Sequence, residues 1–380
     1  MFSIRWLHPL RLPCVLNGRN MGSSRDRDSG YELIRIVAML LIVMGHARTH
    51  GDWISVSSFA KCVADLFAFG GGLGVNLFAL LSGWFLASGS FSAKRVFRVV
   101  LQVAFYSILI GFFSLCSGRA SISSLPTIFF PIIFGEYWFA TAYVGASVLW
   151  PFVKSGFDAL GARRRGVCIC VLGVLFSVIP TVFQTSFVSS GIIWIIYLWL
   201  IAYCMKNDEH SILLKLDFRF ALASLILIEL SVILFDCIGL VSALDFFYAH
   251  STILKAMYSI PMLVLSIALF NSLRNRKVRH SRVINSLAES SFGVYLIHDN
   301  PYIRTYIWSN LLSPGMLSSF GQISPLYLIP AAAVAVYCVC YVIDRIRRFA
   351  FERPVMALAD RMGASGVFRY IDEFMNLYPE

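Results

Sequence analysis

Apolar stretches of about twenty residues recur along the chain, each closed by a short polar or basic segment. That is the length a helix needs to cross a bilayer. Ten are read, at approximately 32–49, 67–87, 97–116, 136–153, 167–184, 188–205, 219–238, 254–271, 287–307 and 326–343. The pattern predicts an all-α fold, a polytopic membrane helix bundle of about ten transmembrane helices. Leu125–Phe134 carries Pro126 and Pro131 and is too short to span, so it reads as a re-entrant or interfacial piece. The expected organisation is an N-terminal segment 1–30, a membrane domain 31–350 and a polar, amphipathic or loose tail 351–380. Met21 is a candidate true start. No inverted repeat of the kind many transporters show is visible.

Composition supports the membrane reading. Of 380 residues 58% are apolar and 14% charged, with mean hydropathy +0.73. A soluble domain is about 45–50% apolar and about 25% charged, and one core stops growing near roughly 250–300 residues. A soluble enzyme, a secreted disulfide scaffold and a disordered regulator are thereby excluded. The nine cysteines lie mostly in apolar runs. Cys168/Cys170 and Cys338/Cys340 sit two residues apart on helical stretches, about 200° around the axis, and so do not form a metal clip.

The net charge of +11 would also suit a nucleic-acid binder. Its distribution points elsewhere. With the N-terminus inside, 26 of the 32 Lys and Arg fall in cytoplasmic segments and five outside, with Arg35 in the first helix. Basic residues near helix ends stay cytoplasmic, so both termini are expected inside, with the lipid bilayer and no nucleic acid as partner.

Ionisable groups inside spanning helices are costly and mark function by default. Arg35 and His46 are eleven residues apart, three turns plus about 20°, and share a face about 16 Å apart along the axis. Glu32 lies about 60° from Arg35. An arginine at the inner surface can hold a phosphate by paired hydrogen bonds, and a histidine deeper in is a proton acceptor near neutral pH. Arg95 and Arg98 form an i, i+3 pair entering the third helix, placed either to clamp phosphate or simply to stay inside. Ser291, Tyr295 and His298 form one stripe just before Pro301, where a kink is expected. Glu229, mid-helix, must be protonated, paired or wet, as a proton path or a helix–helix bond would use it. The glycines from Gly70 to Gly74 allow close helix approach.

These residues together resemble the integral-membrane acyltransferase-3 family. Arg35-x10-His46 resembles its signature in the first helix, and Arg95-x-x-Arg98 its second arginine motif. Leu81-Ser-Gly-Trp-Phe-Leu86, Tyr137-Trp138-Phe139-Ala-Thr-Ala-Tyr143 and Phe292-Gly-Val-Tyr295-Leu-Ile-His298 are similar to three further motifs, in order over residues 31 to 345. The resemblance implies a multi-pass cell-membrane enzyme, bacterial by analogy. Such an enzyme moves an acyl group, most often acetyl, from cytoplasmic acyl-CoA to a sugar hydroxyl of a polysaccharide or lipid-linked glycan.

On that reading Arg35, Arg95 and Arg98 hold the phosphates of acetyl-CoA or another short acyl-CoA. His46, with Arg35, is catalytic, as base or as transient acyl carrier, and no metal is expected. Trp138, Tyr143, Tyr295 and His298 are the expected acceptor-binding residues. Trp138-Phe139-Ala140 lacks the glutamate of one subgroup's Trp-Ser-Leu-x-x-Glu segment, and Glu136 is not its positional equivalent. The alternative is a glycolipid or polysaccharide flippase without acyl transfer. A membrane-bound O-acyltransferase of the unrelated class would need its Asn/Asp and late His, for which Asn76 and Asn300 are not well placed.

Overall fold

The computed structural model describes residues 28–376 except 54–55, 57, 186–189, 243–245 and 248–249; Met21 and almost all of the N-terminal segment lie outside the described residues. The described chain is helical: α1 Ser29–His50, α2 Ser58–Asp65, α3 Phe69–Leu86, α4 Ala93–Cys116, α5 Leu125–Phe129, α6 Trp138–Asp158, α7 Ala162–Gly173, α8 Ile179–Phe183 and α9 Gly191–Asn207. There follow α10 Phe218–Ser242, α11 Ile260–Arg274, α12 Arg282–Glu289, α13 Ser291–His298, α14 Pro301–Thr305, α15 Pro314–Leu317, α16 Pro325–Arg347, α17 Arg353–Arg361 and α18 Ala364–Asn376. No strand occurs among the described residues.

Six helical segments are long and apolar enough to cross a membrane: Ser29–His50, Ser58–Leu86, Ala93–Cys116, Ala162–Phe183, Phe218–Ser242 and Pro325–Arg361. The sequence pattern suggests about ten, and four stretches are not among the six: that at 136–153 is α6, whose 21 residues include Lys154 and Asp158, and the other three differ in length or continuity. The stretches read at 188–205 and 254–271 become α9 and α11, of 17 and 15 residues, below the about 20 of a typical crossing. Helix α9 is enclosed, with Leu198, Trp199 and Ala202 fully buried. The stretch read at 287–307 is broken into α12, α13 and α14. In contrast, α4, α7, α10 and α16 turn large side chains outward, among them Phe112, Phe113, Val171, Leu230, Leu234 and Val339. An apolar surface of that extent is a membrane-facing one, and the chain is a multi-pass membrane protein.

The tightest seam joins α1 to α3. A Cβ on Gly45 would overlap the backbone nitrogen of Gly71, one on Gly70 the carbonyl of Leu41, and one on Gly74 the carbonyl of Ala38. Small residues let two backbones touch where lipid supplies no hydrophobic drive between helices. Helix α13 also packs closely on α16, where Gly293 leaves room for the Asp344 side chain that a Cβ would run into. The buried Asp344 Oδ1 accepts hydrogen bonds from Tyr106 (2.8 Å), Gln102 (3.2 Å) and Arg347 Nε (2.9 Å), tying α4 and α16 together beside α13.

A second buried network ties α1, α2, α10 and Lys255. Arg48 pairs with Asp65, Lys61 with Asp65 (2.6 Å) and Asp236 (3.2 Å), and Lys255 with Glu229 (3.0 Å). Glu229 is therefore an ion-pair partner. The described part of the tail is helical: Asp372 accepts from the Ala93 amide (2.5 Å) and Asn376 from the Phe91 amide (2.9 Å), so α18 caps the start of α4. A carboxylate there also suits the positive end of the α4 dipole.

Candidate active site

Asp28 caps α1 through its side chain, and Glu32 in the first turn receives a hydrogen bond from Arg35 Nη1 at 2.6 Å. The helix then carries His46 inward to meet α13. Helix α13 stops at His298 because Asn300 starts a new helix, its side chain accepting from the Tyr302 amide, and Pro301 has no amide to continue the old one. The expected kink at Pro301 is thus a full break, and it delivers Asp299 and Asn300 to the interior; Asn300 donates to Tyr137 Oη at 2.7 Å.

At the break two histidines meet. His46 Nδ1 lies 2.9 Å from His298 Nε2, and His298 Nδ1 lies 2.6 Å from the carbonyl of Val294. A carbonyl can only accept, so the proton of a neutral His298 sits on Nδ1 and its Nε2 carries a lone pair. His46 must then donate from Nδ1. The chain of bonds leaves His46 Nε2 unprotonated, which is the tautomer a base requires.

His46 also separates two spaces of different character. On one side is a small apolar pocket of about 20 Å³ lined by Met39, Ile42, Val75, Phe78, Phe139, Phe292 and Tyr295, with Trp138. On the other is an open cavity of about 310 Å³ bearing Thr49, His50, Lys255, Asp299 and Arg304. Trp138 and Val75 line both, and Trp138 keeps 41% of its surface free. Tyr295 sits in an aromatic cluster with Tyr137, Phe139 and Phe292, its ring 6.5 Å from that of His298.

The remaining sequence-predicted residues gather about three helical turns away. Arg95 and Arg98 are exposed at the start of α4. The nearby Asp360 pairs with Lys94 at 2.9 Å, and neither arginine has an ion-pair partner among the described residues. Tyr143 lines a small cavity with Arg95, Ser92, Ser147 and Trp150, and its hydroxyl lies within electrostatic reach of both Arg35 and Arg95. The structure therefore brings Arg35, Arg95 and Tyr143 together at one end and His46, His298, Tyr295 and Trp138 at the other.

Two residues near His46 were not among those singled out by sequence. His50 lies one turn beyond it, and Asp299 follows His298 directly. Asp299 Oδ1 is 3.3 Å from His50 Nε2, 3.6 Å from His46 Nδ1 and 3.8 Å from Arg304 Nη1. The i, i+4 histidine spacing was the available signal. This trio, His46, His50 and Asp299, is the group of described residues with the geometry to hold a metal ion.

The described helices thus place a histidine pair between an apolar pocket and a polar cavity. Residues 28–345 match the acyltransferase-3 family profile, described as an acyltransferase domain, and the chain belongs to that family; it is a membrane acyltransferase. No curated protein and no solved structure matches it.

Proposed function

We propose that the protein is an O-acyltransferase that moves acetyl from acyl-CoA, arriving at the Arg35–Arg95–Arg98 end, to a sugar hydroxyl in the polar cavity beyond His46. The observation that carries the proposal is the position of His46 in the wall between the two spaces, with its Nδ1 held by His298. The basic end faces the cytoplasm on this reading, as the charge distribution suggests. The donor's phosphates lie on the arginines, whose planar guanidinium suits them, and its thioester arm extends along α1.

A pocket of about 20 Å³ exceeds the roughly 10–15 Å³ that one water-sized group needs. It suits the methyl of an acetyl group. The acceptor stacks on Trp138, with Thr49 and Arg304 available to its hydroxyls. The acceptor O–H gives its proton to His46 Nε2 while its oxygen forms the new C–O bond at the thioester carbonyl. The C–S bond then breaks, and the thiolate leaves as a thiol by taking that proton back from the imidazolium. Because the hydroxyl attacks directly in this scheme, no acyl-histidine is formed.

Binding of acetyl-CoA to the detergent-purified protein tests the donor end. The wild type should bind, and Arg95→Ala/Arg98→Ala should bind at least about tenfold more weakly, since each charge-assisted hydrogen bond contributes about 1.5–3 kcal/mol. Equal binding by the two proteins would remove these arginines from the donor site. No binding of any short acyl-CoA by the folded wild type would count against the enzyme scheme.

A further inference from the structure

The cluster formed by His46, His50 and Asp299 has a property that acyl transfer does not use. Asp299 is 5% exposed, yet its Oδ1 makes no hydrogen bond of good geometry although three nitrogens surround it. A buried carboxylate oxygen left in that state is expensive, and here it points at two imidazoles. One ring nitrogen from each histidine and this oxygen all lie within 4.8 Å of one another. A tetrahedral zinc with bonds of about 2.0–2.2 Å separates its ligand atoms by about 3.3–3.6 Å. The oxygen-to-nitrogen distances here are 3.3 and 3.6 Å.

We propose that His46, His50 and Asp299 form a binding site for a divalent transition-metal ion of the zinc type, and that filling it switches acyl transfer off. Histidines at i, i+4 on one helix face are a recurrent way to present two imidazoles to one ion. The third ligand comes from the break between α13 and α14, whose capping by Asn300 fixes Asp299. The cavity of about 310 Å³ gives the ion a route in and room for a water as fourth ligand. Arg304, 3.8 Å from the oxygen and with 37% of its side chain exposed, turns outward when the ion takes its place.

Inhibition follows from the tautomer. Metal binding at His46 Nδ1 requires the lone pair on the atom that now donates to His298. The proton moves through solvent to Nε2, so His46 remains neutral but its Nε2 becomes a donor and no longer accepts a proton from a hydroxyl. The hydrogen bond to His298 is lost in the same event. Metal at this site and base catalysis by His46 are mutually exclusive. This inhibitory consequence rests on the acyl-transfer reading, whereas the site itself does not.

The test uses chelator-treated protein in detergent. Equilibrium dialysis with Zn2+ and visible absorption with Co2+ measure binding, and acetyl transfer is followed in parallel. One ion per chain is expected in a tetrahedral cobalt spectrum, with affinity at least about 10–100-fold weaker in His50→Ala and in Asp299→Asn. Whatever its metal-free rate, transfer by His50→Ala should no longer be inhibited by zinc. Binding that persists unchanged in both variants would belong to the cysteines and would overturn the site, as would no binding at all. Binding through these residues with transfer unimpaired would overturn the switch. Binding with no transfer in metal-free protein would leave the site standing and remove the acyl-transfer reading.

Discussion

His298 is a positioning residue on this account, and replacing it isolates what the histidine pair does. In His298→Leu the Nδ1–H of His46 loses its acceptor, and nothing else in the pair holds the imidazole in the base tautomer. A buried donor left unpaired costs about 1–3 kcal/mol, which the ring escapes by rotating or by shifting its proton to Nε2. Either response removes the productive state, so kcat should fall about 5–150-fold. KM for acetyl-CoA should not change, because Arg35 lies about 16 Å along the helix from His46. His298→Gln places a carbonyl oxygen close to where Nε2 stood, so it should recover most of the loss.

The assay is release of the CoA thiol from acetyl-CoA, with a panel of monosaccharides and short glycans as acceptors. Thermal unfolding in detergent serves as the folding control. Full activity in a folded His298→Leu would refute the tautomer argument, and so would a loss that falls on KM alone.

Two further outcomes follow from the packing. Acyl length should be limited by the pocket walled by Val75, Phe78 and Phe292, each added methylene costing roughly 10–200-fold in kcat/KM; Phe292→Ala should relax the limit, measured with acetyl-, propionyl- and butyryl-CoA. Asp344→Ala should destabilise the bundle by about 1–3 kcal/mol, because the buried Tyr106 hydroxyl and Arg347 Nε lose their acceptor while Arg347 keeps Glu352 at 2.8 Å; an unchanged unfolding temperature would contradict it.

Much of this arrangement was legible because a helix converts spacing into direction. Arg35 and His46 are eleven residues apart and the bundle keeps both on its interior side. The same arithmetic shows why Trp138 and Tyr143 line different cavities: five residues put them about 140° apart, so Trp138 reaches the spaces around His46 and Tyr143 the Arg95 cavity. Hydropathy over 287–307 is continuous and hides the break after His298, and with it the delivery of Asp299. Apolar length alone likewise suggests crossings at 188–205 and 254–271, where α9 and α11 are short. The pairing of Glu229 with Lys255 spans 26 residues and a change of helix, which no local pattern encodes.

The most direct test of the central claim is acetyl transfer by purified wild-type protein and by His46→Ala, with acetyl-CoA binding and thermal unfolding measured on the same samples. The account predicts that His46→Ala binds acetyl-CoA and unfolds like the wild type while transfer falls by at least about 10²–10⁴-fold. Transfer that survives in the folded variant would contradict it, since among the described residues that line both spaces His46 alone carries a base.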